Sequence, residues 1–282
     1  WFFLMWGWWV VLRCVCASVL TGWGSGYVRV GFVGENFCGR GALWIACVPG
    51  LLVSFLVLFV KDPPRGLHVV AGEDRAPLHW TVSYRELLRN RPFILTALGY
   101  GAYTFALGGL GFWMPAFLER VRGMPRSEAT VTFGTIALVT GFIGTFAGGW
   151  LGDFFLRRSK QSYLWVSGIA TLIAAPAAFI AVSNPHRNIY LPAIAIAEVF
   201  IFMCTGPVNS AIINAVKPGE RATAVGLSVL VMHVVGDIPS PPLIGAVSDH
   251  YSLERAFMLV PLAIVIAGCI WMYAAWQGRL SS

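Results

Sequence analysis

Apolar residues in this chain run on rather than alternate. Stretches of about twenty residues with little or no charge follow one another, and short polar turns between them hold most of the Lys, Arg, Asp and Glu. Residues 42–60 are nineteen residues without a charge, enough for a helix to cross roughly 30 Å of hydrocarbon. The pattern predicts about eight such helices: one within residues 15–34, then residues 42–60, 92–118, 129–152, 163–182, 189–216, 223–247 and 256–276. Every backbone group in lipid has to be satisfied internally, so runs of this kind imply an all-α membrane protein.

Composition strengthens that reading. Of 282 residues 57% are hydrophobic and 12% charged, against roughly a quarter charged in a soluble domain. The net charge is +7. In a soluble chain that would point to nucleic acid, but here the basic residues sit in loops between apolar runs, so no nucleic-acid partner is expected. Residues 61–91 form the one long polar stretch, with Lys61, Arg65, Arg75, Arg85, Arg89 and Arg91. Placing it in the cytoplasm puts Arg157, Arg158, Lys160, Lys217, Arg221 and Arg279 on the same side, twelve basic residues against six on the other. This asymmetry sets the orientation, with Arg120, Arg122 and Arg126 as a local exception. Residues 81–89 read as a short amphipathic helix on the membrane surface.

The predicted organisation has three parts: residues 1–61 ending an N-terminal bundle, residues 62–91 linking two bundles, and residues 92–282 forming a six-helix bundle. An internal echo supports two parallel halves. Gly31-Phe-Val-Gly-Glu35 precedes Arg40-Gly-Ala42, and Gly245-Ala-Val-Ser-Asp249 precedes Glu254-Arg-Ala256, each leading into an apolar span with a proline. Residues 1–40 hold five of the twelve Trp and three of the six Cys, a texture that a reading-frame error or misplaced start would give. With no Met at position 1, a fragment is the simplest expectation. Cys47, Cys204 and Cys269 lie in apolar runs and read as small core residues. No metal site or cofactor is expected, and no nucleotide-binding P-loop occurs.

Polar residues inside apolar spans carry the chemistry, because a charge at the bilayer centre costs roughly 3 kcal/mol or more. Glu198 lies in mid-run, and His233 and Asp237 share a helix face four residues apart. All three are candidates for solute contact or proton coupling, as are Tyr100 and Tyr103. Pro239, Pro241 and Pro242 are expected to kink the outer half of their span. Trp113 suits an interfacial position, and Asn209 a helix–helix hydrogen bond. Gly144, Gly148 and Gly152 make a small-xxx-small face for close packing. At the end of that span, Gly149-Trp-Leu-Gly-Asp153-Phe-Phe-Leu-Arg157-Arg158 resembles the major facilitator loop motif. There Gly149 would admit a neighbouring helix, and Asp153, with Arg157 and Arg158 beside it, would latch the cytoplasmic side. Phe154 and Leu156 depart from the motif.

Three stretches together resemble spinster-type members of the major facilitator superfamily: residues 98–117, residues 149–158, and His233 to Asp249 with its Gly-Asp-Ile-Pro-Ser-Pro-Pro core. The resemblance covers roughly residues 42–278. It implies about eight of twelve helices, numbers 5 to 12, in the major facilitator fold. It also implies alternating access around a central cavity and a small organic or amphipathic, possibly lysolipid-like, solute. The expected partners are that solute, the bilayer and a coupling proton, for a monomer in the cell membrane, the inner membrane if the source is bacterial. No enzymatic activity is expected. Two alternatives stand beside this reading. One is an inactive truncated remnant of such a transporter. The other is an intramembrane aspartyl protease using Asp153 and Asp237, for which no Gly-x-Gly-Asp is present.

Overall fold

The computed structural model describes residues 80–280. The readings made above for residues 1–79, including the first two spans, most of the linker and half of the internal echo, lie outside the described residues. Within them, helices α1 (Trp80–Arg89), α2 (Arg91–Arg120), α3 (Arg126–Leu156) and α4 (Ser162–Ser183) come first. They are followed by α5 (Arg187–Phe202) and α6 (Thr205–Asn214), which together make one span. The next span contains α7 (Arg221–Val231), a π-helical turn over Met232–Asp237, and α8 (Ser240–His250). The short α9 (Leu253–Phe257) leads into α10 (Leu259–Leu280). Six helices in the described residues are long and apolar enough to cross a membrane, at the positions that hydropathy predicts for the third to eighth spans.

Local chemistry starts and stops these helices. Asn90 caps α2 by accepting from the Phe93 backbone N–H at 3.2 Å, with Pro92 in the first turn, where no donor is needed. The Asn90 amide also donates to the Ala215 carbonyl at the end of α6, at 2.8 Å. One side chain thus ties α2 to the end of another span. Gly123, at φ +68°, supplies the left-handed residue that turns the chain from α2 to α3.

In lipid, helices associate through close packing rather than through expulsion of water, and glycine sets most of the approaches here. α10 packs chiefly against α2 and α4. Trp271 of α10 lies where a side chain on Gly99 would have to go, and its indole donates to the Thr96 carbonyl at 3.2 Å. Gly168 of α4 meets Met272, and Gly268 of α10 meets Leu172. Gly101 and Gly108 of α2 receive the π-helical turn. Cys269, in contrast, is exposed on the outside of α10 and is not a core residue as its apolar run implies; Cys204 is buried.

The α5/α6 span is not one continuous helix. It breaks at Met203 and Cys204. Pro207 has no N–H to offer the Met203 carbonyl and its ring crowds that carbonyl. The three-glycine face of α3 packs on the break. A methyl group on Gly148 would strike the Met203 carbonyl oxygen, and one on Gly144 would strike the Val199 carbonyl oxygen. The predicted close-packing face therefore has a specific target, the backbone that Pro207 frees.

Arg122, one of the three arginines in the exception to the charge asymmetry, has a structural role. Its guanidinium donates to the Val182 carbonyl at the C-terminal end of α4, stacks over Phe117 at 5.1 Å and Tyr190 at 5.4 Å, and reaches Glu254 at 3.8 Å. A cation at a helix C-terminus is favourable, and this one joins α2, α4, α5 and α9. On the same side Arg187 pairs with Glu128. These arginines belong to the packing of that end, not to its topology signal.

Gly148→Ala and Gly149→Ala are expected to have opposite effects. Among the described residues nothing lies within 4 Å of a methyl on Gly149, so within this bundle alanine there gains about 0.5–1 kcal/mol of helix propensity. Gly148→Ala drives a methyl into the Met203 carbonyl and loses about 1–3 kcal/mol. Heat-denaturation midpoints of the two variants in one detergent check the pair.

Candidate functional site

Glu198 lies about midway along the α5/α6 span and is only 4% exposed. Its Oε2 accepts a 3.0 Å hydrogen bond from Thr140 of α3. No basic side chain among the described residues lies within ion-pair distance of it. On its other side is a small apolar cavity walled by Leu110 and Met114 of α2, Ala178 and Ala181 of α4, and Val260 of α10. The carboxyl group therefore sits where five spans meet, its own included, with one hydroxyl as its described partner. Thr140 is a site residue that reading the sequence alone does not find, since a threonine in an apolar span is common and only the helix crossing brings it to Glu198.

His233 and Asp237 do meet. His233 Nδ1 is 2.9 Å from Asp237 Oδ1 and Oδ2, and both side chains are substantially exposed, at 47% and 37%. The face they share belongs to the π-helical turn, where the Ile238 N–H bonds to the His233 carbonyl five residues back. The turn is held from α2. The Thr104 hydroxyl lies 3.0 Å from the Met232 carbonyl and 2.9 Å from the Tyr100 carbonyl of its own helix. Gly236 is required for this contact, because a methyl there would strike Thr104 Oγ1.

The span is irregular, and the irregularity includes the positions four residues before Pro239 and Pro241, whose carbonyls the prolines leave without a donor. The irregular turn falls on Met232–Asp237, ahead of the prolines. Pro241 and Pro242 occupy the first turn of α8, where a missing N–H does that helix no harm. Trp113 donates its indole N–H to the Pro241 carbonyl at 2.9 Å and lies against Gly245. It serves the packing of α2 on α8 in addition to any interfacial role.

The two tyrosines point inward. Tyr103 is buried, donates to the Ile201 carbonyl at 2.9 Å and is 3.2 Å from Thr205 Oγ1. Its ring tilts on Trp271 at 5.5 Å. It plugs the helix break from the α2 side, and it borders neither the cavity at Glu198 nor the His233 pair. Tyr100 is 8% exposed, and its hydroxyl receives Asn209 Nδ2 at 3.5 Å. Asn209 thus makes the helix–helix contact expected of it, as well as a 2.8 Å bond to the Thr205 carbonyl.

At the end of α3, Asp153 Oδ1 accepts a 2.8 Å bond from Tyr163 in the first turn of α4, and Ser162 donates to the Gly152 carbonyl at 3.0 Å. Arg157 and Arg158 are exposed. Among the described residues Gly152 meets Tyr163 and Gly148 meets Met203, and nothing lies within 4 Å of a methyl on Gly149. Asp153 and Asp237 sit on separate elements with separate partners, Tyr163 and His233. The paired carboxyls that proteolysis requires are not assembled. Among the described residues no three His, Cys, Asp or Glu side chains gather as a metal site.

The described residues thus form a bundle of six spans with breaks in two of them and a buried interior carboxyl. Residues 14–236 match the Major Facilitator Superfamily, and the chain belongs to that superfamily. It is 29% identical over 278 residues to the Arabidopsis thaliana "Probable sphingolipid transporter spinster homolog 2", an alignment covering 91% of this chain and 56% of that protein. It is 27% identical over 263 residues to the Mus musculus sphingosine-1-phosphate transporter SPNS2, covering 83% of this chain and 48% of that one. The fold matches a bacterial homologue of the human lysosomal transporter Spinster, in an inward-facing and unoccupied conformation, with a TM-score of 0.56 and 22% identity, over 92% of this chain and 63% of that one. The chain is thus spinster-like, and it spans about half the length of the two curated relatives.

Thr104→Val keeps the shape of the side chain and removes the hydroxyl that reaches Met232. It is expected to destabilise the protein by about 1 kcal/mol and to speed amide exchange in residues 232–238. Hydrogen-exchange mass spectrometry checks this, and unchanged exchange there with a lowered midpoint would assign Thr104 to α2 alone.

Proposed function

We propose that this chain is the C-terminal six-helix bundle, with the end of the N-terminal bundle and the linker before it, of a secondary transporter. It works by alternating access and moves a small organic or amphipathic solute of the lysolipid type. The observation that carries the reading is Glu198. An acidic side chain in the middle of a lipid-spanning helix is costly, and here it is kept with Thr140 as its described partner and an apolar cavity at its side. A carboxyl that exchanges a proton as the space around it opens and closes is the simplest coupling device such a bundle offers, so the coupling ion is the proton. The sphingolipid named for the plant and mouse relatives supports the amphipathic solute class.

His233 and Asp237 serve as the second polar contact. They lie on the irregular turn of a span that is largely unburied within this bundle, so they are open to a cavity or to a facing bundle. The π-helical turn, lodged on the glycine face of α2, gives that span a place to bend. Gly149, Asp153, Arg157 and Arg158 form the cytoplasmic latch. In the described residues its acid is tied to Tyr163, and its two arginines are free to meet a second bundle.

Reconstitution of the longest form that the gene encodes, in proteoliposomes loaded with a panel of lysolipids and sphingoid phosphates, tests this reading. An imposed pH gradient is expected to drive solute movement. Glu198→Gln is expected to abolish the response to the gradient while leaving solute exchange at equal pH. Transport by Glu198→Gln that still follows the gradient would refute proton coupling through this residue. Absence of movement for every solute in the panel would remove the lysolipid class.

A further inference from the structure

α1 presents a face that the transport reading does not use. Leu87 is buried, and the helix packs against α2 and the start of α7. Glu86, the acid of the helix, lies beside Glu220 at that start. The flank next to Leu87 carries Tyr84, 42% exposed, and Leu88, 61% exposed. They are four residues apart and so lie one above the other. Arg85 and Arg89 repeat the same spacing one position on, and both are exposed. The result is an apolar edge and a basic edge side by side, the arrangement of a helix that lies in a membrane interface.

Position fixes the depth. Arg89 ends α1, Asn90 takes an extended ψ of 96°, and Arg91 begins a membrane span. α1 therefore sits one residue from the hydrocarbon, at the level of the headgroups, on the side that the basic loops assign to the cytoplasm. Among the described side chains its outer face shows two apolar residues, far short of the roughly 800 Å² per partner of a stable protein interface. Its charge suits an anionic leaflet.

We propose that the outer face of α1 binds anionic phospholipid headgroups of the cytoplasmic leaflet, with Tyr84 and Leu88 entering the acyl boundary and Arg85 and Arg89 pairing with phosphate. This holds the linker helix against the bilayer, and through Asn90 it holds the end of α6 as well. The inference depends on the orientation set by the basic loops but not on the solute or on proton coupling.

Native mass spectrometry of the full chain in detergent, titrated with phosphatidylglycerol or with phosphatidylcholine, tests it. Wild-type protein is expected to prefer phosphatidylglycerol, and the Arg85→Gln/Arg89→Gln variant to lose that preference by about tenfold. Arg85→Lys/Arg89→Lys is expected to keep most of it. Arg157→Gln/Arg158→Gln, the same charge loss elsewhere, is expected to leave the tightest site unchanged. A second readout uses unmodified protein: phosphatidylglycerol, but not phosphatidylcholine, is expected to shield Arg85 and Arg89 from phenylglyoxal, as read by peptide mass. Equal affinity for the two lipids, a preference that survives Arg85→Gln/Arg89→Gln, or arginines that stay reactive in phosphatidylglycerol would each overturn the proposal. Equal affinity would leave the face to a protein partner.

Discussion

Lipid offers a helix no hydrogen bonds, so wherever a spanning helix departs from regular geometry its freed backbone has to be met by a neighbour. Two departures organise this bundle. Pro207 frees the Met203 carbonyl, Gly148 lets α3 close onto it, and Tyr103 of α2 bonds the nearby Ile201 carbonyl. The π-helical turn at Met232–Asp237 is answered by Thr104, against which only a glycine at position 236 fits. α2 serves both, and that is why it carries glycine, threonine and tyrosine in close succession. Glu198 lies five residues before the first break, in the region that these accommodations hold.

The bundle is accordingly uneven. α2, α4, α5 and α10 are bound together through Trp271, Gly168, Gly268 and the Arg122 network. α3 and the α7/α8 span bury far less of themselves and show large apolar side chains outward, among them Phe146 and Trp150 on α3 and Val234, Val235 and Ile238 beside the π-helical turn. Among the described residues the bundle thus has a mutually buried group and two spans with broad outward faces. The polar groups follow this division. Glu198 sits at the junction of the anchored spans with α3, and the His233–Asp237 pair sits on the span with the least burial.

Much of the architecture is legible in the sequence because the bilayer imposes one simple rule. A run of about twenty apolar residues becomes a crossing helix whatever surrounds it, so the six spans from residue 92 onward fall at the predicted positions. The glycine triplet of α3, the His233–Asp237 contact and the surface helix α1 are equally local and are equally readable. What depends on helix rotation and on partners is not. The spacing of Gly149 within a familiar motif says nothing of which way it faces, and among the described residues it is Gly148 that meets a neighbour. Tyr103 reads as a cavity residue until the break at Met203 is known, and that break turns on Gly206-Pro207, a signal present in the chain but submerged in its hydropathy. Arg122 looks like a topology anomaly until the end of α4 is placed beneath it. Cys269 sits in an apolar run but on its outer side.

The Trp271–Thr96 bond joins residues 175 positions apart, from the final span to the first one described. Chains are synthesised from the N-terminus, so α2 enters the membrane long before its partner exists. Through that interval the Gly99 notch and the backbone beneath it stand open, and whatever chaperones insertion must tolerate or shield a groove shaped for an indole. The notch on the first described span is therefore filled only when α10 follows it, some 175 residues later in the chain.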